Sequence, residues 1–215
     1  MEKTIKEYLH YDPKELGIPK FQGLVSGSIA PRPIAFASTI DMDGKPNLAP
    51  FSFFNAFGMN PPILVFSPAR SGRDNTTKHT YDNVKVVAEV VINVVNFEMV
   101  EKMNVASTEF PKGVNEFEKA GFTMQKSEMV RPFRVQESPV QFECKVLQVI
   151  ETGTMHGAGN LVICEILKMH VDPDILDESG NIDPHKIDLV GRLGGNYYVR
   201  ASGSAVFEVK KPKQK

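Results

Sequence analysis

Apolar and polar positions alternate most clearly in the run Ile34 to Ile40, where Ile34, Phe36, Ser38 and Ile40 face one way and Ala35, Ala37 and Thr39 the other. A period of two predicts a strand. One face is mostly large and the other small, which leaves room for something flat to lie close to the backbone. The D-G pair in Asp41-Met42-Asp43-Gly44-Lys45 then predicts a hairpin, because glycine supplies the positive φ such a loop needs. After Pro50 the run Phe51-Ser52-Phe53-Phe54-Asn55-Ala56-Phe57 reads as a strand rich in aromatics. Pro61-Pro62 breaks the chain, and Ile63 to Ser67 is a short buried strand. Val86 to Val95 is a Val-rich apolar run of the kind a buried strand shows. Val140 to Val146 alternates cleanly, Leu161 to Val171 is nearly apolar on both faces, and the Gly-rich stretch Gly153 to Asn160 reads as the hairpin loop between them.

Two segments carry helical signals instead. Glu98 to Ala106 has Met99, Val100 and Met103 at helical spacing. Asn115, with Glu118 three residues on and Gly121 after Ala120, marks the start and stop of a second short helix. Residues 1–23 predict a short helix or extended arm, residues 172–188 an irregular surface excursion, and residues 208–215 a basic tail. About six to eight strands with two short helices suit a closed or partly open barrel. The expected organisation is one mainly β domain over residues 24–207, with the arm before it and the tail after it.

Composition narrows the function classes. With 41% hydrophobic and 24% charged residues in 215, the chain has the profile of an ordinary globular protein. A formal net charge of −1 gives no reason to expect nucleic acid or an anionic membrane as partner. Met1 to Glu7 lacks the apolar core of a signal peptide, and Val84 to Phe97 is interrupted by Lys85, Glu89 and Asn93, so the expected location is cytoplasmic. Cys144 and Cys164 stand alone in strand-like runs and read as buried reduced thiols. The histidines never pair at zinc-ligand spacing, and no G-x-S-x-G nucleophile motif occurs.

What remains is binding chemistry. Ser52 and Asn55, set among phenylalanines, need hydrogen-bond partners from the backbone or from a ligand, since a buried unpaired polar group costs on the order of 1–3 kcal/mol. Arg70, Ser71, Arg73, Thr76, Thr77, Lys78 and Thr80 make the most polar stretch inside the domain. A solvated loop would explain the charges; a phosphate seat would explain the accompanying hydroxyls as well. Near the end of the chain, Gly194-Gly195 beside Arg192, Tyr197 and Tyr198 allows close backbone approach next to a cation and flat amphipathic rings.

The order P-R-P-I-A (31–35), S-T (38–39), N-L-A-P-F-S-F-F-N (47–55), P-P (61–62) and K-x-T (78–80) resembles the flavin reductase-like family, over about Leu24 to Tyr198. The resemblance implies a split β-barrel of Greek-key type with a few short helices, and FMN as cofactor. It places Ser38 and Thr39 at the flavin ring, Ser52, Phe53 and Asn55 at the ring and ribityl chain, and Arg73, Lys78 and Thr80 at the phosphate. Arg192 and Tyr198, in R-L-G-G-N-Y-Y, would close near the site. It further implies a homodimer, NADH or NADPH as hydride donor, and a partner oxygenase or other electron acceptor. An FMN-binding electron carrier or flavin store without a nicotinamide site is the alternative, and a barrel binding some other phosphate compound a third reading. One departure stands out: the family's K-D-T is Lys78-His79-Thr80 here, so a histidine replaces an acid.

Overall fold

The D-G turn forms as the pattern predicts: β1 (Ala35–Ile40) and β2 (Pro46–Phe51) pair antiparallel, with Ala35 opposite Phe51 and Ile40 opposite Pro46. Gly44 takes φ 80° in the loop between them. In this computed structural model, which describes residues 6–212, the hairpin is one end of a seven-stranded antiparallel sheet. The chain continues through β3 (Phe54–Met59), β4 (Pro62–Phe66) and β5 (Glu89–Val94). A two-residue ribbon of β6 (Met124–Gln125) and β7 (Arg134–Val135) follows, then the long hairpin of β8 (Val140–Glu151) and β9 (Asn160–Val171). The sheet order is β2-β1-β5-β8-β9-β4-β3. Its two edge strands, β2 and β3, are consecutive in sequence and joined only through Ser52 and Phe53, so the sheet curls into a barrel that is split at that bend. A small ribbon of β10 (Val190–Arg192) and β11 (Tyr198–Arg200) lies beside the start of β1, where Arg32 bridges to Arg192.

Two apolar clusters explain why β1 is buried on both faces. Ala35 and Ala37 point into the barrel, against Leu64, Phe66, Val84, Cys144 and Cys164. Ile34 and Phe36 point outward, against α4 (Val100–Ala106) and α5 (Glu116–Ala120). The small face is therefore small because the barrel interior on that side is already filled by Phe66 and its neighbours. Both thiols are fully buried; the neighbouring Cys164 and burial together push the Cys144 thiol well up.

The α5 signals are read correctly. Asn115 Oδ1 accepts from the Phe117 N–H at 3.1 Å, its Nδ2 donates to Glu118, and Gly121 closes the helix at φ 70°. Other elements differ from expectation. The N-terminal arm becomes α1 (Pro13–Leu16) and a longer α2 (Ile18–Ser28) that runs past residue 23, and neither buries a single residue. Residues 1–5 of the arm and 213–215 of the basic tail lie outside the described residues. The strand expected from Val86 begins only at Glu89, because α3 (His79–Val86) comes first and leaves Val86 exposed. Residues 172–188 are not wholly surface: Ile175 and Ile187 bury against Val140. No helix among the described residues is long and apolar enough to cross a membrane.

Candidate functional site

The break in the aromatic run shapes the larger of two adjoining clefts. The run expected as one strand is cut into β2 and β3 by a bend at Ser52-Phe53, which turns Phe53 out to 44% exposure. Arg32 explains the bend's position. Its Nε donates to Ser52 Oγ at 3.3 Å, Nη1 to the Ser26 and Ile29 carbonyls at 2.5 and 2.6 Å, and Nη2 to the Leu193 carbonyl at 2.9 Å. One buried guanidinium thus ties together the C-terminal end of α2, the β2–β3 bend and the loop after β10, and lies 5.9 Å from the centre of the Phe53 ring. Gly194 lets that loop come close: a Cβ there would stand 3.1 Å from Gly27 Cα.

These three segments enclose a cleft of about 510 Å³. Ser52, Phe53, Arg32, Arg192 and Tyr198 line it, and no acidic residue among the described residues does. Arg192 stacks on the Tyr198 ring at 4.6 Å and donates to the Tyr198 hydroxyl and the Gly195 carbonyl. Burial, and then the charge of Arg192, lower the pKa of Arg32. The cleft is therefore a cationic slot with flat walls, suited to an anionic or electron-rich aromatic ligand.

A smaller cleft of about 280 Å³ adjoins it, with Pro50 and Ser107 lining both. Thr76, Thr77, Lys78, His79 and Thr80 line it together with Glu109 and Glu116. The loop before α3 is stiffened from within. Arg70 binds the Asn75 side chain and carbonyl at 2.9 and 2.6 Å, Asn75 adopts φ 61°, and Thr76 bonds to Asp74 at 2.8 Å. The hydroxyls of Ser71 and Thr76 hold the Asp74 carboxyl well below the usual carboxylate range. Lys78 occupies the N-cap of α3 without a side-chain capping bond, so the first N–H groups of that helix have no side-chain acceptor among the described residues. A cation beside unpaired helix N–H groups is a donor set that fits a phosphate. Carboxylate chemistry already stands on it: Glu109 Oε1 accepts from Lys78 Nζ at 2.8 Å, and Glu109 also pairs with Arg73.

Glu116 is 5% exposed, and its Oε2 accepts from the Leu48 N–H at 3.0 Å, which pins α5 to β2. Burial pushes its carboxyl up, against the opposing pull of the Leu48 N–H and the charge of His79.

The residues expected at the site divide into three groups. Ser52, Phe53, Arg192 and Tyr198 meet in the larger cleft. Lys78 and Thr80 meet in the smaller one, where Thr80 Oγ1 accepts from Asn47 Nδ2 at 2.9 Å. The other four line neither cleft. Ser38 and Thr39 are fully buried: Thr39 Oγ1 accepts from Asn47 and Asn83 at 3.3 and 3.1 Å, and Ser38 Oγ has no partner among the described residues. Asn55 sits on the edge strand β3 and accepts from the Ala56 N–H at 2.8 Å, so the backbone meets its need for a partner. Arg73 is a solvent-exposed cation held by Glu109.

The sequence reading missed Arg32, Asn47, Glu109 and Glu116. For Arg32 a signal existed in P-R-P, since two prolines pin the arginine in an extended segment. For Glu109 and Glu116 there was none, as each meets its partners only through the fold.

Comparison with known proteins agrees with this architecture. The flavin reductase like domain family matches residues 27–188. An uncharacterized protein of Aquifex aeolicus is 44% identical over 86% of this chain and 92% of its own. Nitrilotriacetate monooxygenase component B from Bacillus cereus superposes with a TM-score of 0.88 at 28% identity, covering 95% of this chain and 100% of that one. The 2-nitrobenzoate 2-nitroreductase of Pseudomonas fluorescens gives 0.80 at 27% identity, over 96% and 99% of the two chains. With the split barrel, the paired clefts and a match over most of its length, the chain belongs to the flavin reductase-like family, a group of flavin-related oxidoreductases.

Proposed function

We propose that the protein binds FMN across the two adjoining clefts and acts as a flavin reductase, with NADH or NADPH as hydride donor. The observation that carries this is the shared wall at Pro50 and Ser107, which joins a phosphate-fitting donor set to a flat-sided cationic slot. Bound flavin would supply the redox chemistry, accepting hydride and passing electrons on. The chain's own residues bind and orient. Lys78 and the first N–H groups of α3 hold the phosphate, with Arg73 as an outer cation and Thr80 beneath. Ser52 and Phe53 meet the ring at the β2–β3 bend, Asn55 flanks that bend, and Arg192 with Tyr198 forms the far wall. Ser38 and Thr39 shape the wall from behind. Holding a donor within about 3–3.5 Å of the ring is the protein's main task in hydride transfer.

The assembly we infer is a homodimer. The exposed side chains Leu24 and Ile29 at the end of α2, and Phe57 and Met59 on the edge strand β3, would gain cover from a second copy. The similarity to a monooxygenase component B supports an oxygenase as the electron acceptor.

The second reading, an FMN-binding electron carrier, shares every binding residue and differs in having no nicotinamide site. The visible spectrum of the purified protein with FMN, followed anaerobically on adding NADH or NADPH, separates the two. Bleaching supports the reductase, a flavin colour that persists with both donors favours the carrier, and failure to bind FMN removes both.

A further inference from the structure

The carboxylate of Glu109 occupies the same cations that the proposed function gives to a phosphate. Glu109 lies in the loop after α4, 31 residues from Lys78 and 36 from Arg73 in sequence. Both of its oxygens are engaged, Oε1 by Lys78 at 2.8 Å and Oε2 by Arg73. Lys78 and Glu109 both line the 280 Å³ cleft and are paired there, so an anion entering it meets a cation whose partner is already present. Lys78 chiefly, with Arg73, holds the Glu109 carboxyl below the usual range, so it remains an anion.

We propose that Glu109 is an internal competitor for the phosphate seat, a side chain that a phosphomonoester must displace from Lys78 and Arg73 in order to bind. The inference rests on the FMN reading of that cleft and adds to it a residue that sets how tightly the phosphate end is held. Three physical facts favour displacement over a permanent pair. The Glu109 side chain is 53% exposed and Arg73 76%, and ion pairs at such positions are weak and screened by salt. A phosphomonoester near neutral pH carries close to two negative charges on three acceptor oxygens, where a carboxylate offers one charge on two. The displaced carboxylate returns to water without leaving a buried charge, because its side chain is already about half exposed.

Displacement has a thermodynamic consequence that separates flavins by their phosphate. A ligand that takes the seat meets the cost of breaking both pairs, and a flavin without phosphate does not. Glu109 thus weakens FMN relative to its intrinsic fit and leaves riboflavin untouched, making the cofactor easier to exchange.

The test is titration of the full-length protein with FMN and with riboflavin, read by quenching of flavin fluorescence, for wild type, Glu109→Gln and Lys78→Ala. The inference expects Glu109→Gln to tighten FMN by about two- to tenfold, the range of one or two exposed ion pairs, with riboflavin unchanged. It also expects that gain to shrink at high salt. FMN affinity that stays the same or falls in Glu109→Gln overturns the inference, since Glu109 would then be a bystander or a positioning partner of Lys78. If Lys78→Ala leaves FMN binding as in wild type, the phosphate assignment itself fails and the inference falls with it. A response to Lys78 without the gain from Glu109→Gln overturns the inference alone.

Discussion

Arg32 and Ser52 are joined by a hydrogen bond of 3.3 Å from Nε to Oγ, and the same guanidinium reaches three backbone carbonyls on two other segments. None of its acceptors is charged, so Arg32 acts as a cationic cap on the end of α2 and on the loop after β10. Replacement by leucine keeps bulk but strips buried carbonyls of their donors. Arg32→Leu is expected to lower stability by about 2–4 kcal/mol, read from urea denaturation. It should also loosen the larger cleft, seen as faster amide exchange at Ser26–Ile29 and Leu193–Tyr197.

Gly191 faces the same junction. A Cβ there would stand 2.7 Å from Pro31 Cβ, a side chain with no flexible end to move. Gly191→Ala is therefore expected to cost about 1–3 kcal/mol through overpacking, measured as a fall in Tm. Gly180→Ala makes a poor control because of its own positive φ; Gly23→Ala, inside α2 with nothing within 4 Å of the added Cβ, is the better one and should not lower Tm, alanine being the better helix former.

Lys78→Ala is expected to weaken FMN binding by about 1.5–3 kcal/mol, the scale of a hydrogen bond to a charged group. Calorimetric titration measures it. The variant should fold normally, since Lys78 is partly exposed and pairs only at the surface.

Glu143 gives the fold a pH dependence. Its carboxylate is fully buried and accepts N–H groups of Glu128, Met129 and Val130, together with His170 Nε2 at 2.6 Å. Burial pushes its pKa up, but those backbone donors and His170 outweigh it and leave the carboxyl below its ordinary value of 4.5. A depressed pKa contributes stability that is complete above the unfolded value and lost as pH falls through the folded one. Urea midpoints are thus expected to fall as pH drops below about 4.5. Glu143→Gln should reduce that slope and cost about 2–4 kcal/mol at pH 7, because a Gln amide cannot accept on both sides. Equal acid slopes in the two proteins would remove Glu143 from the account.

Part of the candidate site was legible in the residues. The S-F pair after Pro50 and the K-x-T segment do reach the two clefts, as do Arg192 and Tyr198. Ser38 and Thr39 sit among residues of the right chemistry yet lie behind the surface, because β1 is covered by helices on one side and by the barrel core on the other. Alternation in a sequence shows that a strand has two faces; it does not show what lies against each. Asn55 illustrates the same limit, since an aromatic run reads as interior and its second half turned out to be an edge strand with Phe57 and Met59 in solvent.

By itself the sequence determined the hairpin at Asp41–Lys45 and the cap and stop of α5, which depend on residues a few positions apart, and the strand patterns of β8 and β9 with the mainly β class, which depend on local alternation. Only the tertiary structure decided that Arg32 would meet Leu193, 161 residues away, and that Glu109 would close on Lys78 and Arg73. Local propensity is set by steric and hydrogen-bonding preferences within a turn or two, whereas a cleft is made where distant segments pack, and those meetings are fixed by how the whole core fills.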